Sequence, residues 1–233
     1  MRNRFNPLTV GAALLVLVVA ACTPVTSDER VEVQQLTEPT TYYPHQTGAA
    51  WQYLPEGARL QDARATMLVE GPAVVDGGLW ISFREIRPGW EQRSYRQFRD
   101  SGVFLHSQVR LGITTIEYDP PLKELPEPGS LRVGSQWSGD STITLSLGDG
   151  SPPEQRLVNY VYTVVDQRTV QVPAGQLEVF VIDLTTRELD DQANVLDESS
   201  RQFWYAPFIG EVMQRTGHLL VSTNVPLTGA EVK

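Results

Sequence analysis

Apolar and polar residues alternate along much of this chain with the period of a strand, not of a helix. In STITLSL (141–147), Thr142, Thr144 and Ser146 alternate with Ile143, Leu145 and Leu147, the pattern of a half-buried strand. The run stops at Gly148-Asp149-Gly150, which suits a turn better than a metal site. LVNYVYTVV (157–165) and LEVFVIDLTT (177–186) are dense in β-branched and aromatic residues. Between them, Val172-Pro173-Ala174-Gly175 carries proline and glycine at the positions of a type I turn, so the pair reads as a hairpin. LWISFREI (79–86) and VFLHSQVRL (103–111) add further strands. Capped helical periods are absent, and the best helical candidate is 91–100.

The chain also repeats itself. Gly48-Ala49-Ala50-Trp51 is echoed by Gly134-Ser135-Gln136-Trp137, a G-x-x-W at the head of each half. Near the tails, Ser94, Arg96, Gln97, Phe98, Arg110 and Gly112 match Ser199, Arg201, Gln202, Phe203, Arg215 and Gly217 at one constant offset. The heads are closer together than the tails, so the second half needs extra residues. The acidic stretch RELDDQANVLDESS (187–200) is the expected insertion. The expected class is therefore all-β: antiparallel sheets from two repeated β-meander units, in a sandwich, half-barrel or β-roll, with few or no helices beyond the signal segment.

At the N-terminus, Arg2 and Arg4 precede an apolar run (7–21) that ends at Cys22. This is the layout of an export signal, and the run is short for a bilayer span. Val19-Ala20-Ala21-Cys22 resembles the lipobox of bacterial lipoproteins, which implies cleavage before Cys22 and acylation of its thiol and amine. Cys22 is the sole cysteine, so no disulfide framework exists in the mature chain. Thr23 stands where an aspartate would mark inner-membrane retention, so the expected location is the cell envelope, with the outer membrane facing the periplasm favoured. The organisation expected is a signal peptide (1–21), lipidated Cys22 with a tether (22–41), a first β repeat (42–119), a Pro-rich linker PPLKELPEPGS (120–130), a second repeat (131–225) and a tail (226–233).

Charge narrows the partners. The formal charge is −9, and of 19 basic residues only Lys123 and Lys233 are lysines. An acidic chain without a basic block has no counterion-release route to nucleic acid. Catalysis has little sequence support: His45, His106 and His218 lie far apart, and no nucleophile-elbow, zincin or phosphate-loop motif occurs. The acidic stretch has oxygen ligands in number, but its spacing does not match a calcium loop, so no metal and no cofactor are expected. Arg96, Arg110, Arg201 and Arg215 recur in both repeats. They are candidate anion contacts, the competing reading being cross-strand pairing with acids. Trp204, Tyr205 and Phe208 replace non-aromatic residues of the first repeat and are candidates for a partner or ligand patch.

V-P-A-G (172–175) followed by a valine-rich strand, then W-Y-A-P-x-x-G (204–210), resembles bacterial periplasmic and lipoprotein families of unknown function built of antiparallel β-structure. A more distant resemblance is to the lipoprotein-carrier half-barrels, which hold acyl chains and add helices that this sequence does not show. The resemblance implies a fold more than an activity. The leading expectation is a non-enzymatic, membrane-anchored interaction or assembly module. Next comes a carrier of lipid or another apolar ligand in a cavity between the repeats, and third a hydrolase with a spatially assembled site.

Overall fold

The computed structural model describes residue 36 and residues 40–227, so the signal segment, Cys22 and most of the tether lie outside the described residues. The first half supplies β1 (Ala50–Pro55), β2 (Ala65–Val75), β3 (Gly78–Arg87), β4 (Trp90–Arg99), β5 (Gly102–Arg110) and β6 (Thr114–Leu125). The second supplies β7 (Gln136–Leu147), β8 (Glu154–Val172), β9 (Gly175–Leu189), β10 (Val195–Ala206), β11 (Gly210–Met213) and β12 (His218–Thr223). Each strand pairs antiparallel with its chain neighbours, and β1 pairs with β12, so the sheet closes into an up-and-down barrel. The all-β antiparallel class is the observed one. Closure gives every strand two partners, which an open half-barrel or sandwich would not. No helix occurs among the described residues.

Three local expectations are corrected. The helical candidate 91–100 is nearly all β4, paired to β3 and β5 along its length. Most of the Pro-rich stretch belongs to β6, which runs through Pro120 and Pro121 to Leu125, and the connection to β7 is 126–135. The acidic stretch is mostly strand too: β9 and β10 pair from Leu189↔Val195 onward, leaving only 190–194 as a turn. The extra length of the second half lies instead in its first three strands. β7, β8 and β9 run 12, 19 and 15 residues where β1, β2 and β3 run 6, 11 and 10, and β8 and β9 form a long hairpin. The projecting end of that hairpin folds against β12, where Ala174 N donates to Leu220 O at 3.2 Å.

The two halves are built alike. Gly48 and Gly134 have φ of +87° and +86°, a left-handed turn that glycine enters without cost. Gly48 N donates to Val69 O (2.9 Å) and Val69 N to Ala49 O (2.8 Å). In the second half, Gly134 N donates to Val164 O (2.8 Å) and Val164 N to Ser135 O (2.9 Å). Each head tryptophan then reaches into the opposite half: Trp51 Nε1 donates to Ile209 O (2.6 Å) and Trp137 Nε1 to Lys123 O (3.2 Å). The tail repeat begins on β4 and β10, the fourth strand of each half, and ends with Arg110 and Gly112 at the close of β5 and with Arg215 and Gly217 between β11 and β12.

Segment 40–48 crosses one end of the barrel. Tyr43, buried, donates its hydroxyl to Pro126 O at 2.7 Å, and Tyr205 donates to Tyr42 O at 2.8 Å. His45 stacks on Phe98 with ring centroids 4.0 Å apart. These rings, with Trp51, Phe83 and Phe203, fill the closed half of the barrel as two apolar clusters. Each such fully buried apolar side chain contributes roughly 1.5–3 kcal/mol. The outer wall is polar: on β2 to β4, Glu70, Arg84, Glu91 and Arg93 form a chain of ion pairs on the face opposite the barrel interior. Such charges are costly on a lipid-facing wall.

Candidate functional site

Toward the other end the interior is hollow. A cavity of about 510 Å³ lies inside the barrel, lined by residues of both halves. Its lining approaches the turns β3–β4, β5–β6, β7–β8 and β9–β10, so the mouth is at the end opposite segment 40–48. The wall alternates in kind. Phe83, Leu105, Ile116, Leu122, Ile143 and Leu145 give apolar surface, while Gln92, Ser94, Gln108, Thr186 and Ser199 give polar groups. A smaller void of about 70 Å³ lies among the aromatic rings below.

A charged layer separates the two spaces. Glu124, 4% exposed, accepts from Arg96 Nε (2.5 Å) and from Arg215 Nη1 (3.2 Å). Arg215 Nη2 also donates to Tyr162 Oη at 3.3 Å, and both arginines lie over aromatic faces, Arg96 on Phe83 and Arg215 on Phe203. Burial alone would push the Glu124 carboxyl up. The charges and hydrogen bonds of Arg96 and Arg215 outweigh it and hold the pKa down to about 2. Glu211, on the same layer, responds the other way: burial raises its carboxyl above the usual range against the pull of Arg215 and Arg96. Burial also raises the phenol of Tyr162, which stays protonated.

All four arginines of the repeat line this one cavity. Their equivalence does not extend to their partners. Arg96 and Arg215 share Glu124, which is the cross-strand pairing with an acid that competed with anion binding. Arg110 reaches only neutral Gln92, its Nε 2.8 Å from Oε1, and the Arg201 guanidinium makes no hydrogen bond or ion pair among the described residues. The sequence missed Glu124, the acid that ties Arg96 to Arg215, because the proline run around it looks like a linker.

The aromatic candidates do not form one patch. Tyr205 is buried and points inward with Phe203, and Trp204 lies on the opposite face under Arg168, whose guanidinium carbon is 5.2 Å from the ring centroid. Phe208 is 45% exposed, and its ring packs edge-on to Tyr42. W-Y-A-P-x-x-G is thus a packing and turn motif. Gly210, at φ +110°, lies where an added Cβ would sit 3.1 Å from Trp51 Nε1.

Elsewhere the acidic turn satisfies itself. Asp190 Oδ1 accepts from the backbone of Gln192 and Asn194, both at 2.8 Å, and the bonds from Asn194 hold its carboxyl below the usual range. Among the described residues no group of three His, Cys, Asp or Glu side chains is placed to hold a metal ion. The histidines do not converge: His45 stacks on Phe98 at the closed end, His106 stacks on Trp80, and His218 bonds Thr216.

No family model and no curated protein matches the chain. Among solved structures, it is similar to a protein from Parabacteroides distasonis ATCC 8503 described as a "putative lipoprotein", at 11% identity and a TM-score of 0.43, covering 80% of this chain and 99% of that one.

Proposed function

We propose that this protein is a lipid-anchored, non-enzymatic binding protein of the bacterial envelope that holds a small amphipathic molecule inside its barrel. The observation that carries this reading is the open cavity of about 510 Å³, a volume in the range of small-molecule sites, with apolar wall and polar groups facing one space. It favours ligand carriage over the assembly module expected from the aromatic stretch, since the aromatics of that stretch do not share one exposed face. Three of the lumen carboxylates are engaged by arginines: Glu85 by Arg87, Glu188 by Arg156, and Glu124 by Arg96 and Arg215. That arrangement suits holding charge in place more than passing protons. The anchor is supported by Val19-Ala20-Ala21-Cys22 behind a basic and apolar leader, and Thr23 supports the outer membrane facing the periplasm.

One preparation tests both parts. The full chain is expressed in a bacterial host, membranes are fractionated, and small molecules extracted from the purified protein are identified by mass spectrometry. The native chain should fractionate with membranes and carry a bound molecule. Cys22→Ser should release the protein to the soluble fraction with its ligand. Ile143→Trp, which puts an indole into the lumen, should stay membrane-bound and lose the ligand. A folded I143W protein that keeps the same molecule would sink the lumen reading, and a membrane-bound C22S protein would sink the anchor.

A further inference from the structure

We infer that the molecule held in the lumen is an anion, its carboxylate or phosphate taken by Arg110 or Arg201 and its apolar body against the cavity wall. This rests on the lumen being a ligand site and names the class of ligand. The chain as a whole is acidic, at −9, yet its interior is not. Six guanidiniums face the lumen, from Arg87, Arg96, Arg110, Arg156, Arg201 and Arg215, against four carboxylates. Matching them leaves a surplus in a definite place. Arg87 pairs with Glu85 at 2.6 Å, Arg156 with Glu188 at 3.0 Å, and Glu124 takes both Arg96 and Arg215. The fourth carboxylate, Glu211, makes no ion pair among the described residues.

What remains are Arg110 and Arg201, one from each half of the repeat. Both are solvent-accessible within the lumen, so neither has lost its hydration to burial without return. Arg110 is held in place by its Nε bond to Gln92. Arg201 stands beside the hydroxyls of Ser199 and Thr186, which bond each other at 2.7 Å. Below them the Arg215 Nε–H is buried with no acceptor among the described residues. Guanidinium forks with free N–H groups recognise a carboxylate or phosphate by charge-assisted, bidentate bonds. An apolar wall around them selects a head with an apolar body. A neutral amphiphile would leave both cations unmatched, and a cationic one would be repelled.

The full chain, freed of endogenous ligand, is titrated calorimetrically at pH 7 with four probes below their micelle concentrations: dodecanoate, dodecyl phosphate, dodecanol and dodecyltrimethylammonium. Either or both anions should bind, separating a carboxylate from a phosphate source, and dodecanol should bind at least about tenfold more weakly, the loss expected for one charge-assisted bond. Arg110→Gln with Arg201→Gln should weaken the anion by at least about tenfold and leave dodecanol unchanged. Neither side chain is buried, so this variant should fold as the native protein does, which its circular dichroism checks. Dodecanol binding as tightly as both anions, or an anion affinity untouched in R110Q/R201Q, would overturn the anion assignment while leaving the lumen site standing. Binding of none of the four, or anion binding unaffected by Ile143→Trp, would overturn the lumen site itself and this inference with it.

Discussion

At the scale of single residues, Glu124 carries the largest electrostatic stake. It sits between two arginines in the middle of the barrel, and each of the three depends on the others for compensation of its burial. Glu124→Gln removes the anion that Arg96 and Arg215 share, and should cost on the order of 3 kcal/mol at pH 7 in urea unfolding. The pH dependence has a definite sign. The folded pKa near 2 lies below the ordinary value of 4.5, so this contribution is fully present above about pH 4.5 and is lost as pH falls toward 2. The gap in stability between native protein and E124Q should therefore narrow steadily below pH 4.5. A gap that is constant with pH would mean that the carboxylate charge is not what stabilises the layer.

At the scale of elements, the β10–β11 turn shows what the aromatic stretch is for. Phe208 adopts φ +65° and Gly210 φ +110°, and the close approach of Gly210 to the Trp51 indole lets Trp51 Nε1 reach Ile209 O. Gly210→Ala combines a strained φ with crowding of that indole and should lower stability by about 1–3 kcal/mol, read as a shift of the urea midpoint with unchanged slope. A neutral effect would show that the turn can relax without the tryptophan contact.

Legibility also divides by element. The strands 141–147, 157–165 and 177–186 were readable because their inward side chains are mostly apolar, whether they line the lumen, as Ile143, Leu145, Val158 and Leu184 do, or pack in the core, as Val164 and Val179 do. β4 was not, and the reason is the cavity. Its inward residues Gln92, Ser94 and Arg96 face the lumen, and its outward Glu91, Arg93 and Tyr95 face solvent, so both faces are polar and the strand period vanishes. The mouth end of β10 hid for the same reason. The repeat did locate four lumen arginines, because side chains at equivalent inward positions reach the same space. It could not say that two would be matched by Glu124 and two left open, since Glu124 has no counterpart in the repeat.

At the scale of the whole molecule, two seams join the halves, β6 to β7 and β12 to β1. The first is paired only from Thr114 to Asp119. Beyond it, side chains bridge the wall: Trp137 Nε1 donates to Lys123 O, Lys123 N donates to Tyr160 Oη, and Ser141 Oγ donates to Pro120 O. The second seam carries Leu220, fully buried in the cluster with Trp51 and Tyr53, and Leu220 O receives the projecting β8–β9 hairpin. Neither half can keep its core covered alone, since each head tryptophan finds its acceptor in the other. The barrel should therefore unfold in one calorimetric transition, with calorimetric and van't Hoff enthalpies equal. Ending the chain after Gly217 removes β12 and exposes the edges of β1 and β11 together with the cluster around Trp51. That shortened chain should show no cooperative transition and should aggregate through its open edges. Two resolved transitions in the intact protein would instead mean that the halves hold themselves, and that the lumen between them can open without unfolding.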